Sequence, residues 1–204
     1  MTIIKNPKII ILALFALFFI LCEVNPIQAA QEGNFNYRVS DGKACITGYD
    51  GTGGAVQIPE TVGGFPVTDI GFFAFVCDQN ITSVSIPASV TSIREKAFFG
   101  CAGLTTVSLT IGLTKIGNGA FANCMHLSTI NIPDTVTSID QSAFYGCSDL
   151  ISISIPGRIT TIDSFAFWGC GLKSVYIPTS VTTILNNAFE NCDHLTTIAI
   201  PASR

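Results

Sequence analysis

The chain has 204 residues, of which 12% are charged and 48% are hydrophobic, and ten Lys and Arg residues stand against fourteen Asp and Glu residues. The apolar content is too high, and the charge too low, for a disordered chain. With few basic residues and a net charge of −4, an electrostatic nucleic-acid-binding surface is excluded as the main function. The length is typical of one or two domains.

The N-terminal segment, positions 1–30, is predicted to be a secretory signal peptide. Lys5 and Lys8 precede an unbroken apolar run from Ile9 to Cys22. As a helix this run would be about 21 Å long, which is shorter than the roughly 30 Å of a bilayer core. Small residues follow at Ala29 and Ala30, where we expect cleavage. An uncleaved membrane anchor is the alternative, and either form would be secreted or held at the cell surface.

The rest of the chain repeats itself. The dipeptide Ala-Phe recurs at an almost constant interval, and only the last interval is shorter, by one position. Between these dipeptides the chain passes through L-x-x-[IV]-x-[IL]-P and then V-T-x-I, for example at 127–133 and 136–139. The period of about 23 residues lies within the range of leucine-rich repeats. The six repeats are numbered here from their alanines, which are Ala74, Ala97, Ala120, Ala143, Ala166 and Ala188.

Each part of the repeat predicts one element of a coil. The L-x-x-I segment is rich in β-branched residues and partly alternating, so it predicts a strand. Stacked coils would pair these strands in a parallel sheet, with about 4.8 Å between neighbours. V-T-x-I predicts a second short strand, and Ala-Phe predicts one helical turn with its phenylalanine in a buried spine. Residues that tolerate a left-handed backbone would end that turn; they are Gly100, Asn123, Gly146, Gly169 and Asn191.

Three segments are therefore predicted: a signal peptide at 1–30, an N-terminal cap with a lead-in coil at 31–72, and six leucine-rich repeats at 73–204. In the cap, residues 35–39 and 44–49 should form a β-hairpin around Ser-Asp-Gly. No C-terminal cap is expected after the repeats. The edge strand 195–200 would then be left unpaired, which favours association.

The unit LxxIxIPxxVTxIxxxAFxxCxx resembles the BspA-like, or Treponema-type, leucine-rich repeat family between residues 53 and 204. This resemblance implies a curved solenoid, a role in cell-surface adhesion or protein binding, and no catalytic residues. The chain departs from the family pattern at two places in the repeats: Thr110 replaces a strand-ending proline, and one residue is missing between Cys170 and Leu172. No surface-anchoring module follows, which leaves the mode of attachment open.

The cysteines and histidines offer the only candidate chemistry in the sequence. Six cysteines, from Cys77 to Cys192, are predicted to form one column. Neighbouring coils would place their Cα atoms about 5 Å apart, within disulfide range. Their side chains should all point inward, however, which favours buried thiols over bridges. Cys124 and His126 lie three coils, about 14 Å or more, from Cys192 and His194, so we expect no metal, no cofactor and no enzyme activity.

Two outward-facing surfaces are candidates for binding a partner. The sheet should present two columns of mainly hydroxyl residues, with Tyr176 among them, as a contact face or simply as a solvated sheet. On the turn side, Phe99, Tyr145, Phe165 and Trp168 form what we name the aromatic strip. Aromatic residues are enriched at interface hot spots, but these four could equally pack as the rim of the core.

The sequence predicts an exported, non-enzymatic repeat protein with an adhesin-like role in protein–protein or cell-surface interaction. The expected partner is an extracellular or cell-surface protein, or a glycan, and not a nucleic acid. One alternative is a self-associating structural protein that forms a homodimer through strand 195–200. The other is a truncated module of a longer surface protein.

Overall fold

The computed structural model describes residues 29–200, which form a β-solenoid with a lead-in coil followed by the six repeats. The predicted leucine-rich-repeat solenoid with its parallel sheet is confirmed. Residues 1–28 of the predicted signal peptide lie outside the described range. Within that range, no helix is both long enough and apolar enough to cross a membrane.

An antiparallel hairpin covers the N-terminal end of the solenoid. The hairpin consists of β2 (Phe35–Ser40) and β3 (Lys43–Tyr49), and β1 (Ala29–Glu32) pairs antiparallel with β2. Asp41 and Gly42 join β2 to β3 with φ values of 52° and 71°, the backbone of a two-residue turn between right-twisted strands. The predicted hairpin is confirmed, and β1 adds a strand that the sequence did not predict. β3 then pairs in parallel with a strand of the lead-in coil.

The L-x-x-I segments form the first parallel sheet, and the segment at 54–57 of the lead-in coil joins it. Outward residues in this sheet are mostly exposed and the residues between them are buried, because successive side chains of a strand point to opposite faces. Its strands are β4 (Gly54–Gln57), β7 (Ile81–Ser85), β9 (Thr106–Ser108) and β11 (Thr129–Ile130), with β14 (Ser174–Tyr176) and β16 (Thr197–Ala199) as a separate pair.

The V-T-x-I segments form the predicted second set of strands. The strands are β5 (Thr61–Val62), β6 (Phe65–Ile70), β8 (Ser92–Ile93), β10 (Lys115–Ile116) and β12 (Ser138–Ile139), followed by the separate pair β13 (Thr161–Ile162) and β15 (Thr183–Ile184). The antiparallel pair β5 and β6 closes the lead-in coil, and β8, β10 and β12 stack on β6 in parallel.

A phenylalanine spine fills the core. Successive ring centroids of the six repeats are 4.8–5.6 Å apart, and their planes lie within 12° of parallel. The first five rings are fully buried and the sixth is half-buried. No single coil could bury its own ring on both faces, so the spine ties each repeat to its neighbours. Its members are Phe75, Phe98, Phe121, Phe144, Phe167 and Phe189.

The predicted helical turn is not confirmed, because the Ala-Phe segment consists of successive β-turns. In repeat 2, the N–H groups of Ala97 and Phe99 donate to carbonyls three residues earlier, at 3.3 and 3.1 Å. The intervening N–H groups of Phe98 and Gly100 donate instead to carbonyls of the next repeat, both at 2.8 Å. A helix needs consecutive residues with negative φ, and this segment is interrupted by left-handed residues such as Lys96, with φ of 53°.

Two left-handed columns bracket each Ala-Phe dipeptide. The predicted one is confirmed, with φ between 56° and 70° at Gly100, Asn123, Gly146, Gly169 and Asn191. The second column lies four residues earlier and was not predicted, since most of its residue types do not signal a left-handed backbone. Its members are Phe73, Lys96, Gly119, Ser142, Phe165 and Asn187, with φ between 53° and 60°.

The cysteine column has five members rather than six. Cys77 takes the preceding left-handed position, with φ of 53°, because its spacing to Cys101 is one position longer than the repeat. Asp78 occupies the thiol position of repeat 1 and is only 5% exposed. The five members of the column are thiols and not bridges, as predicted, and each donates its S–H to a phenylalanine carbonyl of the preceding repeat at 2.9–3.2 Å.

Candidate interaction surfaces

The best-formed aromatic contact on the turn side joins repeats 4 and 5. The rings of Tyr145 and Trp168 stack with centroids 4.4 Å apart and planes 3° from parallel. Both side chains are half-buried. They occupy the same position in consecutive repeats, and the hydrogen bond from the Gly146 N–H to the Trp168 carbonyl, at 2.7 Å, holds the two backbones in register. The stack is therefore a fixed feature of the surface.

The rings of the other two members of the aromatic strip do not stack on this pair, although the Phe165 carbonyl accepts a hydrogen bond from the backbone N–H of Trp168 at 3.2 Å. Phe99 is half-buried in repeat 2, between the buried side chains of Val76 and Ala122. Ala122 in repeat 3 separates it from Tyr145. Phe165 is half-buried in the left-handed column, with φ of 58°. The structure therefore brings together two of the four predicted residues and leaves the strip discontinuous.

The stacked pair is partly open to solvent. Tyr145 and Trp168 cover one face of each other, and each residue is half-buried. The rings carry the phenolic O–H of Tyr145 and the indole N–H of Trp168, which can hydrogen-bond a partner while the rest of each ring supplies apolar contact area.

The sheet face has the predicted composition. Two of its columns are exposed apart from half-buried Ser83; they are Ser83, Thr106, Thr129, Ser152, Ser174 and Thr197, and Ser85, Ser108, Asn131, Ser154, Tyr176 and Ala199. Tyr176 is 58% exposed and pairs across the sheet with Ala199. It is the large aromatic side chain of this face.

Sequence reasoning missed an apolar residue on the same face. Ile151 is 50% exposed and lies in the outward column that precedes the two named above. The signal was present in the sequence: Ile151 replaces the Thr or Ser that this position carries in repeats 1, 2, 3 and 6.

Some of the exposed hydroxyl groups form hydrogen bonds within the protein. The hydroxyl of Thr105 donates to the Thr82 carbonyl at 2.9 Å, and that of Ser128 donates to the Thr105 carbonyl at 3.3 Å. On the second set of strands, Thr114 donates to the Thr91 carbonyl at 3.0 Å. These contacts satisfy carbonyls of the neighbouring coil, so these hydroxyls are only partly available to a partner.

The histidine and cysteine residues that the sequence offered as candidates for metal binding or catalysis do not form a reactive site between residues 29 and 200. The Nδ1 atom of His126 lies 2.8 Å from a carboxylate oxygen of Asp149, and both side chains are exposed. Between residues 29 and 200, no cluster of three or more His, Cys, Asp and Glu could hold a metal ion. Burial raises the pKa of the Cys124 and Cys147 thiols well above the ordinary value, which disfavours the thiolate that a nucleophile or metal ligand requires.

The match to a known family decides the identity of the repeats. Six copies of the BspA-type leucine-rich repeat region match residues 68–196, which is more than half of the chain. The chain belongs to the BspA-type leucine-rich-repeat family. Leucine-rich repeats of this family are generally non-enzymatic. No curated protein matches the chain.

Solved structures share the fold. A leucine-rich repeat protein from T. pallidum is 32% identical with a TM-score of 0.80, over 84% of this chain and 82% of that one. A leucine rich cell surface protein from Faecalibacterium prausnitzii is 31% identical with a TM-score of 0.65, over 86% and 55%. A leucine-rich repeat protein from Bacteroides ovatus is 28% identical with a TM-score of 0.61, over 84% and 41%. The chain thus spans about half the length, or less, of the latter two.

Proposed function

We propose that this BspA-type repeat protein is exported and binds an extracellular or cell-surface protein in an adhesin-like role. The observation that carries the proposal is the half-exposed stack of Tyr145 on Trp168. Trp and Tyr are the residue types most enriched at binding hot spots. Here the solenoid holds them rigidly, so little side-chain entropy is lost on binding.

The chemistry of the stack suits a protein partner. Two large aromatic side chains held against each other form the kind of anchor that is enriched at protein–protein hot spots. A protein partner can hydrogen-bond the phenolic O–H of Tyr145 and the indole N–H of Trp168 and make apolar contact to Phe99 and Phe165. Tyr176 would take part only where the partner also reaches the sheet face.

Export and surface location rest on the basic and apolar N-terminus and on the relative named as a cell surface protein. If the full chain is exported, the mature protein should begin at Ala30 or Gln31. N-terminal sequencing of the secreted protein measures this directly. A secreted or surface-held product that still begins at Met1 would contradict cleavage and support an uncleaved anchor.

The binding proposal is tested with the purified chain against a panel of extracellular-matrix proteins. We expect saturable binding to a panel member, weakened at least about tenfold in a Tyr145→Ala/Trp168→Ala variant. The matched control is Ile151→Ser/Tyr176→Ser on the sheet face, which should bind like the unaltered chain. Unfolding curves of both variants show whether the fold is intact. Binding that survives in the first variant, or is lost only in the second, would contradict the proposed surface.

Self-association is a second candidate, favoured by the exposure of apolar residues in repeat 6. Ile198 is 44% exposed, whereas its partner Val175 in the neighbouring strand is 2% exposed. Ile200 in the same repeat is 69% exposed, and Ile184 at the end of repeat 5 is 45% exposed. A second copy that paired along strand 195–200 would cover these side chains. Sedimentation should then show a concentration-dependent dimer, and a monomer at all concentrations would eliminate this candidate.

A further inference from the structure

Both sets of strands are interrupted at the same place, between repeats 3 and 4. The first sheet ends at β11 and the second at β12, and pairing resumes only in β13 with β15 and β14 with β16. The segment 150–155 was predicted to be a strand. It keeps alternating burial but forms no ladder, and its one bond to repeat 5 runs from the Lys173 N–H to the Ile151 carbonyl at 3.1 Å.

The missing bonds of the second set of strands are made at the preceding boundaries and again between repeats 4 and 5. The N–H of Thr137 donates to the Thr114 carbonyl at 2.9 Å, but the equivalent N–H of Thr160 has no bond to Thr137. The N–H of Asp140 donates to the Ile116 carbonyl at 2.9 Å, whereas Asp163 makes no equivalent bond to repeat 3. Every residue in these comparisons lies within the range 29–200. In the second set of strands the interruption is specific to this boundary, whereas in the first sheet it continues between segment 150–155 and β14.

The turn side of the same boundary stays joined. The N–H of Phe121 donates to the Ala143 carbonyl at 2.8 Å, and that of Asn123 to the Tyr145 carbonyl at 2.6 Å. The spine also continues, since the rings of Phe121 and Phe144 stack 5.5 Å apart. Repeats 3 and 4 are therefore connected along the turn side and by the bond from the Asp149 N–H to the Met125 carbonyl, at 3.0 Å, just before segment 150–155, whereas the strands themselves are unpaired.

Core packing is also looser where the strands separate. Ile139, which borders the interruption, is 5% exposed, whereas Ile93 and Ile116 at the same repeat position are fully buried. A narrow apolar gap with no room for a water molecule lies beside the unpaired strands, between side chains that include Ile139, Ile155, Ile159 and Phe167. Regions with few backbone bonds and loose packing open at low free-energy cost.

We propose that the solenoid flexes at this boundary, with the turn side as a hinge and the two strand faces opening and closing. One block comprises the hairpin, the lead-in coil and repeats 1–3, and the other comprises repeats 4–6. Bending would change the spacing between Asn131 and Ser154 on the sheet face. It would leave the Tyr145–Trp168 stack unchanged, because both residues belong to the second block. The curvature of the sheet face would then be adjustable, while the aromatic pair remains fixed.

Amide hydrogen exchange of the full chain, resolved by NMR, tests the first part of this proposal. The chain supplies its own matched controls, because Thr137 and Asp140 occupy the same repeat positions as Thr160 and Asp163. We expect the amides of Thr160 and Asp163 to exchange at least about tenfold faster than those of Thr137 and Asp140. Equal protection within each pair would overturn the proposal.

Residual dipolar couplings from the same sample test the bending itself. A hinge requires separate alignment tensors for residues 29–139 and 161–200, since the two blocks would reorient independently. A single tensor that fits all couplings would show a rigid solenoid. Fast exchange at Thr160 with a single tensor would therefore also overturn the hinge, because it would mean unpaired amides without motion between the blocks.

Discussion

The second left-handed column, which the sequence did not predict, contains residue types that do not favour a positive φ. Gly119 suits its φ of 58°, whereas Ser142 adopts φ of 55° with a side chain that disfavours it. We expect Gly119→Ala to lower the free energy of unfolding by about 1 kcal/mol, and Ser142→Gly to raise it by about 0.5–1 kcal/mol. Urea denaturation of the three proteins measures both effects.

Gly157 supplies the control for this pair. It is exposed, its φ is not in the left-handed region, and a Cβ atom there would meet open space. Gly157→Ala should leave the stability unchanged or raise it slightly, by restricting the unfolded chain. A loss at Gly157 equal to that at Gly119 would mean that backbone conformation is not the cause.

The buried thiols give the protein a pH-dependent stability. Burial raises the pKa of Cys45 from 9.0 to about 11 and raises the pKa of Cys147 well above its ordinary value. In the unfolded chain these thiols release protons near pH 9 while the folded chain keeps them. The free energy of unfolding should therefore fall as pH rises above about 9. Urea titrations between pH 7 and 10 measure the decline.

A Cys147→Ala variant is the matched control for that decline. It removes one buried thiol, so its stability should fall less steeply with pH than that of the unaltered chain. The variant lowers stability at all pH values by removing the S–H donor to the Phe121 carbonyl, so the slopes are compared and not the absolute values. Identical slopes would show that the thiols are not responsible.

The phenylalanine spine is the element that makes the coils one cooperative unit. Phe121 stacks on both neighbouring rings at 5.3 and 5.5 Å and is fully buried. Phe121→Ala should cost about 3–5 kcal/mol of unfolding free energy. Phe189 is half-buried, and the structure shows it stacked on Phe167 at 5.4 Å, so Phe189→Ala should cost clearly less. Denaturant unfolding distinguishes the two, and equal losses would argue against a spine shared between repeats.

The elements that could be predicted are those with a local cause in the sequence. Asp41-Gly42 fixes the hairpin turn, and the alternation of L-x-x-I fixes which side chains face inward. The helical turn was wrong because left-handed residues such as Phe73 and Phe165 give no signal by type. The strand at 150–155 was wrong because alternation is local, whereas strand pairing depends on the neighbouring coil.

The aromatic stack proposed as the binding surface was predictable only in part, because it depends on the whole repeat array. Column position determined that Tyr145 and Trp168 would be outward, and their occurrence in consecutive repeats allows the stack. Phe99 shares the column but is isolated, since Ala122 separates it from Tyr145. Cys77 was placed in the wrong column because one extra residue shifts the repeat frame there.

At the level of the whole molecule, the turn side and the sheet face of the solenoid are two surfaces with different properties. The turn side is bonded at every repeat boundary from repeat 1 to repeat 6 and carries the aromatic stack. The sheet face is hydroxyl-rich and is unpaired on both sides of segment 150–155. A partner that needs fixed geometry would bind the first surface, and this is the central claim.

Trp168 is the single tryptophan of the chain, so its fluorescence reports directly on the proposed surface. The measurement is a titration of the full chain with a non-fluorescent fragment of whichever matrix protein it binds. The account predicts a saturable blue shift of Trp168 emission, because the partner removes water from the indole. The midpoint should equal that of an independent binding assay. Saturable binding with unchanged Trp168 emission would contradict the claim that the Tyr145–Trp168 stack is the binding surface.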